Sequence, residues 1–187
     1  MKKIFRMPLV LATMFLISCG NDTQTTAIAS STEANSDAGQ ASVKDDASMK
    51  DIVKVAVGSA DHTTLVRALK QAELVDVLAN PGPFTVFAPT NEAFNKLPKG
   101  TLDDLMKPEK KTDLQNILQY HVTTSSLKVD YFKDGQTIGM VNGDHITVSV
   151  KDGKIVLNNS ATIVASVQAS NGMVHIVDAV LLPPAKN

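Results

Sequence analysis

The chain has no tryptophan, two tyrosines and one cysteine in 187 residues. With a single thiol, Cys19, no intrachain disulfide can form. With Tyr120 and Tyr131 as its two tyrosines, it has few of the rings that sugar sites use for stacking. Charge of one sign is also missing: 18 Lys+Arg stand against 19 Asp+Glu, with no basic run or stripe to attract a phosphate backbone, which argues against a nucleic-acid partner. The longest apolar stretch, Met7 to Ile17, falls short of the ~20 residues needed to cross a hydrocarbon core. Catalytic signatures are absent as well. No G-x-S-x-G, H-E-x-x-H, P-loop or G-x-G-x-x-G occurs, and the four histidines, 62, 121, 145 and 175, have no metal-ligand spacing. Paired acids, Asp45-Asp46 and Asp103-Asp104, fall where solvation and helix capping account for them. The expectation is a protein that is not an enzyme and needs no cofactor or metal.

The N-terminus carries Lys2, Lys3 and Arg6 before the apolar stretch, as in a secretory signal. The stretch ends in Leu16-Ile17-Ser18-Cys19, which resembles the lipobox of bacterial lipoproteins. The resemblance implies cleavage before Cys19, acylation of its thiol and amine, and a membrane partner held through two or three acyl chains. Each buried methylene contributes ~0.8 kcal/mol to such an anchor. Gly20 stands where Asp would resemble an inner-membrane retention signal, so the outer membrane is expected over the inner, on the periplasmic or the cell-surface face. Residues 1–18 are read as the signal peptide and 19–48 as the lipidated cysteine and a tether. Between Gly20 and Ser48 only Ile28 and Val43 are larger aliphatics, too few to offset the entropy of ordering. As a random coil that segment would span ~30 Å.

From residue 49 to 184 the text has the periodicity of a folded domain. A short helix is expected at Asp51 to Val57, ended by Gly58, then one amphipathic helix over "HTTLVRALKQAELVDVLAN" with Leu65, Ala68, Leu69, Ala72 and Val75 on its buried face. Phe84 to Phe87 reads as a strand closed by Pro89, and Thr90 or Asn91 can cap a brief helix through Phe94. Thr101 to Asp104 has the form of a capping box, and Pro108 suits the first turn of a helix carrying Leu114, Ile117 and Leu118, with Tyr120-His121 at its end.

After residue 126 strands are expected. Asn142-Gly143 and Asp152-Gly153 read as two-residue hairpin turns, with further strands at Lys154 to Leu157, Thr162 to Val167 and Met173 to Leu182. His175 is expected on the less buried side of the last strand, and His121 has the most apolar neighbours of the four. Helices followed by strands predict an α+β fold.

Three stretches, "FTVFAPTNEAFNKLP" (84–98), "YH" (120–121) and "NGMVHIVDAVLLP" (171–183), resemble in order the first motif, the tyrosine-histidine pair and the second motif of the fasciclin domain. The likeness covers about residues 50–183. It implies a β-wedge of about seven strands in two sheets with several packed helices. It also implies a non-enzymatic adhesion or interaction module whose partner is a protein or polysaccharide of the envelope or matrix.

Adhesion in animal members is attributed to the tyrosine-histidine pair and its flanking aliphatics, which gives Leu114, Ile117, Leu118, Tyr120, His121 and Val122 here. Tyr120 and His121 can equally tie a helix end to a strand by hydrogen bonds. The family's Asp-Ile motif does not carry over, since Asp178 is followed by Ala179, which argues against an integrin partner. Capture of a glycan or small molecule is the alternative reading.

Overall fold

The computed structural model describes residues 49–184. The expected signal peptide, Cys19 and the expected tether lie outside the described residues. Among the described residues six α-helices and seven strands follow one another with the helices mostly first: α1 (Ile52–Val57), α2 (Thr63–Gln71), α3 (Val75–Ala79), β1 (Phe84–Pro89), α4 (Asn91–Asn95), α5 (Thr101–Leu105), α6 (Lys111–Gln119), β2 (Val122–Thr123), β3 (Thr137–Gly139), β4 (His145–Lys151), β5 (Lys154–Leu157), β6 (Ala161–Ala169) and β7 (Gly172–Val177).

The strands form one sheet in the order β2-β1-β7-β6-β5-β4-β3, where two sheets were expected. All neighbours are antiparallel except β1 and β7, which run parallel with Phe84 opposite Gly172 and Pro89 opposite Val177. The sheet curls until its ends nearly meet: the amide of Val141, just past β3, donates to the carbonyl of Val122 in β2 at 2.8 Å. Curling gives the sheet an inside and an outside. Helices cover the outside, where Ile52, Leu65, Leu69, Leu78, Phe94, Leu114 and Leu118 pack on Val86, Val122 and Val174. The inside holds a second core, with Phe87, Tyr120, Phe132, Ile146, Val148, Leu157, Val177 and Leu181.

Local chemistry sets the boundaries. Asp51 caps α1 by accepting from the Lys54 amide at 2.7 Å, and Thr90 caps α4 by accepting from Ala93. Asn91 instead accepts from Thr64 at the start of α2. The amphipathic stretch expected as one helix is two, α2 and α3, because Glu73 takes a positive φ of 56° and turns the chain. The capping box at Thr101 is not formed: Gly100, at φ 86°, is the N-cap residue, and Asp104 pairs with Lys107 instead.

Asp152-Gly153 is a two-residue turn with both residues at positive φ, joining Lys151 to its partner Lys154. Asn142-Gly143 belongs to a three-residue loop instead, since the Met140 amide donates to the Asp144 carbonyl and only Gly143 of the three turns left-handed. The last strand stops at Val177 rather than Leu182. There Asp178 ends the strand: its amide donates to the Thr162 carbonyl at 3.2 Å, and its carboxylate, in place of its carbonyl, accepts from the Thr162 amide at 2.7 Å.

Candidate functional site

The six residues carried over from the fasciclin resemblance occupy one continuous brace between the two cores. α6 amphipathicity directs Leu114 and Leu118 into the helix-side core, and Val122 joins them two residues past Tyr120. Tyr120 turns the opposite way, into the core inside the sheet. Leu114, Leu118, Tyr120, His121 and Val122 are buried, and Ile117 is half-buried. In this conformation, therefore, the pair faces inward.

Each polar atom of the pair is matched. The Tyr120 hydroxyl donates to the His145 carbonyl at 2.9 Å and accepts from Asn158 Nδ2 at 2.8 Å, tying the end of α6 to β4 and to the loop between β5 and β6. His121 Nε2 accepts from the Leu181 amide at 3.0 Å. An amide can only donate, so Nε2 is the unprotonated nitrogen and Nδ1–H donates to the Ile117 carbonyl at 2.8 Å. Burial pushes the His121 pKa down to about 4, the Ile117 bond opposing it weakly, so the ring is neutral near pH 7.

His175, expected on the less buried side, is fully buried. Its Nε2–H donates to the Leu127 carbonyl at 2.8 Å, which leaves Nδ1 to accept from the Ser166 hydroxyl at 2.7 Å. Phe87 stacks on its ring at 5.7 Å between centroids, and Phe132 meets it edge-on at 5.1 Å. Burial lowers its pKa as well. Two apolar neighbours, Val174 and Ile176, hid this placement, because β7 is covered on both faces and alternation says nothing there.

His62 is also buried, its Nδ1 at 2.8 Å from Ser59 Oγ; the Ala88 carbonyl lies near Nε2 without forming a well-aligned hydrogen bond. His145 opens β4 at the surface. The histidines are thus dispersed, and among the described residues no group of three His, Cys, Asp or Glu side chains could hold a metal ion.

Asn171-Gly172 reads from the sequence as a turn, and Asn171 does lie in the turn between β6 and β7, but the hydrogen bonds of Asn171 and the role of Asn158 were not foreseen. Asn171 is buried; its oxygen accepts from the Ile52 amide at 3.0 Å, and its nitrogen donates to the carbonyls of Leu78 and Asn80. It locks α1 and α3 to the start of β7. Gly172 beside it lets β1 approach: a Cβ there would lie 1.9 Å from the Phe84 carbonyl oxygen. Asn158 sits at φ 49° with Asn159 at 53°, and the dipeptide Asn-Asn between two apolar runs was the available signal.

An open groove of about 650 Å³ runs beside Asn171, lined by Asp51, Pro81, Pro83, Ser126, Gln168 and Ser170 among others. Since Asp51 caps α1 and Asn171 is fully engaged, Ser126, Gln168 and Ser170 are its available polar side chains. No aromatic ring lines it. Among the described residues no helix is long and apolar enough to cross a membrane.

Comparison with known proteins matches this fold and its motifs. The Fasciclin domain profile covers residues 60–183. Protein sll1483 of Synechocystis sp. is 47% identical over 133 residues, covering 71% of this chain and 73% of the relative. Cell surface glycolipoprotein MPB83 of Mycobacterium bovis is 37% identical over 132 residues, covering 66% and 56%. A solved FAS1 domain pair from the insect cell adhesion molecule fasciclin I superimposes with a TM-score of 0.62 at 16% identity, over 71% of this chain and 51% of that one, and so supports the fold. The chain belongs to the fasciclin domain family, whose members are non-enzymatic adhesion and immunogenic proteins.

Proposed function

We propose that this chain is a membrane-anchored, extracytoplasmic fasciclin domain acting as an adhesion or interaction module of the cell envelope or extracellular matrix. Family membership over residues 60–183 carries the reading. The anchor rests on Leu16-Ile17-Ser18-Cys19 after a charged and then apolar N-terminus, and a relative described as a cell surface glycolipoprotein agrees with it. Acyl chains on Cys19 hold the domain at a bacterial membrane, the outer one where two exist, and residues 20–48 give it reach toward a protein or polysaccharide partner. Within this reading Leu114, Ile117, Leu118, Tyr120, His121 and Val122 serve adhesion by fixing the shape of the folded surface, since five of them are buried.

The test is Cys19→Ala beside deletion of the gene, followed by cell attachment and biofilm assays. Weakened attachment in both, with Cys19→Ala released from the membrane fraction, is expected. Unchanged attachment in both sinks the proposal.

The second reading is a glycan or small-molecule binder, favoured by the groove beside Asn171. Its lack of rings and the chain's lack of Trp rank it lower. A glycan array with thermal-shift readout separates the two, because a ligand at 100 times its dissociation constant adds ~2.7 kcal/mol of stability.

A further inference from the structure

A smaller cavity lies on the helix side of the sheet, beneath the end of α1. Its apolar walls are Val55 and Ala56 of α1, Ala88 of β1, Val167 of β6, and Val174 and Ile176 of β7, and its volume is about 130 Å³. It shares no lining residue with the groove beside Asn171. Ala56, Ala88 and Val174 are buried and make its floor, whereas Val167, 37% exposed, stands at its mouth.

Ser59 and His62, in the turn after α1, are the polar side chains of the wall. Ser59 Oγ accepts from the Asp61 amide at 3.3 Å, so its hydroxyl proton is available to His62 Nδ1 at 2.8 Å. That bond puts the ring proton on Nε2. The nearby Ala88 carbonyl agrees, since an unprotonated nitrogen there would set lone pair against lone pair. Burial lowers the ring's pKa, outweighing the Asp61 carboxylate, and keeps the ring neutral near pH 7. His62 is 4% exposed, and its Nε2 is the buried side-chain nitrogen or oxygen atom left without a hydrogen-bond partner among the described residues. A buried donor in that position gains from any acceptor that reaches it.

The volume and this one donor together select the occupant. At ~30 Å³ each, several waters would fit, but a buried water needs about two to four polar partners, and one N–H beside one carbonyl cannot serve several. Aliphatic cavities of ~150 Å³ take a ring such as benzene instead. An apolar body of about six heavy atoms that includes one oxygen meets both conditions: carbon fills the aliphatic walls and the oxygen accepts from Nε2–H. A hydroxyl suits better than a ketone, because its own proton can go to the Ala88 carbonyl. A charged group is disfavoured, since no wall residue opposes its charge and its hydration would be lost.

We infer that this cavity is a binding site for a compact neutral alcohol, held by His62 Nε2–H and by the aliphatic walls between α1 and the sheet. A ligand there touches α1, β1, β6 and β7 at once and so fastens the end of α1 to the sheet. The site is independent of the adhesion reading, and its test is made in solution.

Cyclopentanol is the probe, beside cyclopentane, which lacks the oxygen, and glycerol, which lacks the apolar body. Each is titrated into the full chain carrying Cys19→Ser, free of both acylation and the lone thiol, while NMR follows the His62 ring and the methyl groups of Ala56, Val167 and Val174. Cyclopentanol is expected to give saturable shifts confined to these groups, to move the Nε2 resonance, and to bind about tenfold more tightly than cyclopentane. Glycerol should give no shifts there. His62→Phe keeps a ring and should remove the advantage of cyclopentanol over cyclopentane. Val167→Phe closes the mouth from a position that already meets solvent, and should abolish binding of both. The inference is overturned if the cyclopentanol shifts do not saturate or spread beyond the cavity, if either variant binds cyclopentanol as well as the parent, or if a crystal grown with cyclopentanol holds only water against Nε2.

Discussion

The core under the helices and the core inside the curled sheet are assembled differently. The first draws most of its residues from a few continuous stretches: Ile52 and Val53, Leu65 to Ala72, Leu78 and Ala79, Leu114 and Leu118. The second takes single residues from across the chain, Phe87, Tyr120, Phe132, Ile138, Ile146, Leu157, Val177 and Leu181, and Phe87 and Phe132 also contact the His175 ring. One side is closed mainly by burial of apolar helix faces, with Asn171 tying α1 and α3 to β7. The other also needs hydroxyl, imidazole and carbonyl groups to meet in register. Helix α6 and the Tyr120-His121 pair join the two sides, so damage at the pair reaches both.

The comparison can be broken from either side. Leu69→Ala under the helices and Leu157→Ala inside the sheet each remove a buried side chain, and each is expected to cost about 3–4 kcal/mol in denaturant unfolding. A loss confined to one of them would show that the cores unfold separately.

Acid tests the brace. The unfolded His121 takes up a proton near pH 6.5, whereas the folded ring resists until about pH 4. Between those values the unfolded state binds more protons, so stability is complete above pH 6.5 and falls as pH drops, by about 3 kcal/mol at pH 4. Lowered pKa values at His175 and His62 act in the same direction. Unfolding midpoints measured from pH 7 to pH 4 check this, and His121→Gln should flatten the curve.

Tyr120→Phe keeps the ring and removes its oxygen, leaving the His145 carbonyl and Asn158 without that partner; a cost of about 1–2 kcal/mol is expected, with faster amide exchange in the loop after β5. Thr90→Ala removes the α4 cap and should cost about 1 kcal/mol without altering the acid profile.

The same contrast explains what could be read in advance. Helix-side residues announce themselves by spacing, so the buried face of Leu65, Ala68 and Leu69 was foreseen, while the break at Glu73 was not, because a single left-handed residue leaves no periodic trace. Strand-side residues depend on partners far away in sequence. His175 looked half-exposed because its partners, Ser166 and Leu127, lie in β6 and in the loop before β3. The motif residues Tyr120 and His121 were visible as text, and both readings of them were open. Their inward direction follows from α6 meeting β2 with a turn at the pair. One curled sheet in place of two follows from the hydrogen bond of Val141 to Val122, which no local pattern announces.

The parallel pairing of β1 with β7 reaches into how the chain comes to be folded. Phe84 lies against Gly172, 88 residues later, and β7 separates β1 from β6 in the sheet. Until the last strand is available, β1 has only β2 beside it, and the sheet lacks the strand that links β1 to β6. Such long-range closure makes folding slow and concerted. A chain threaded through a membrane N-terminus first therefore cannot complete its native sheet before residue 177 has emerged, and a truncation ahead of β7 should yield no partly native domain.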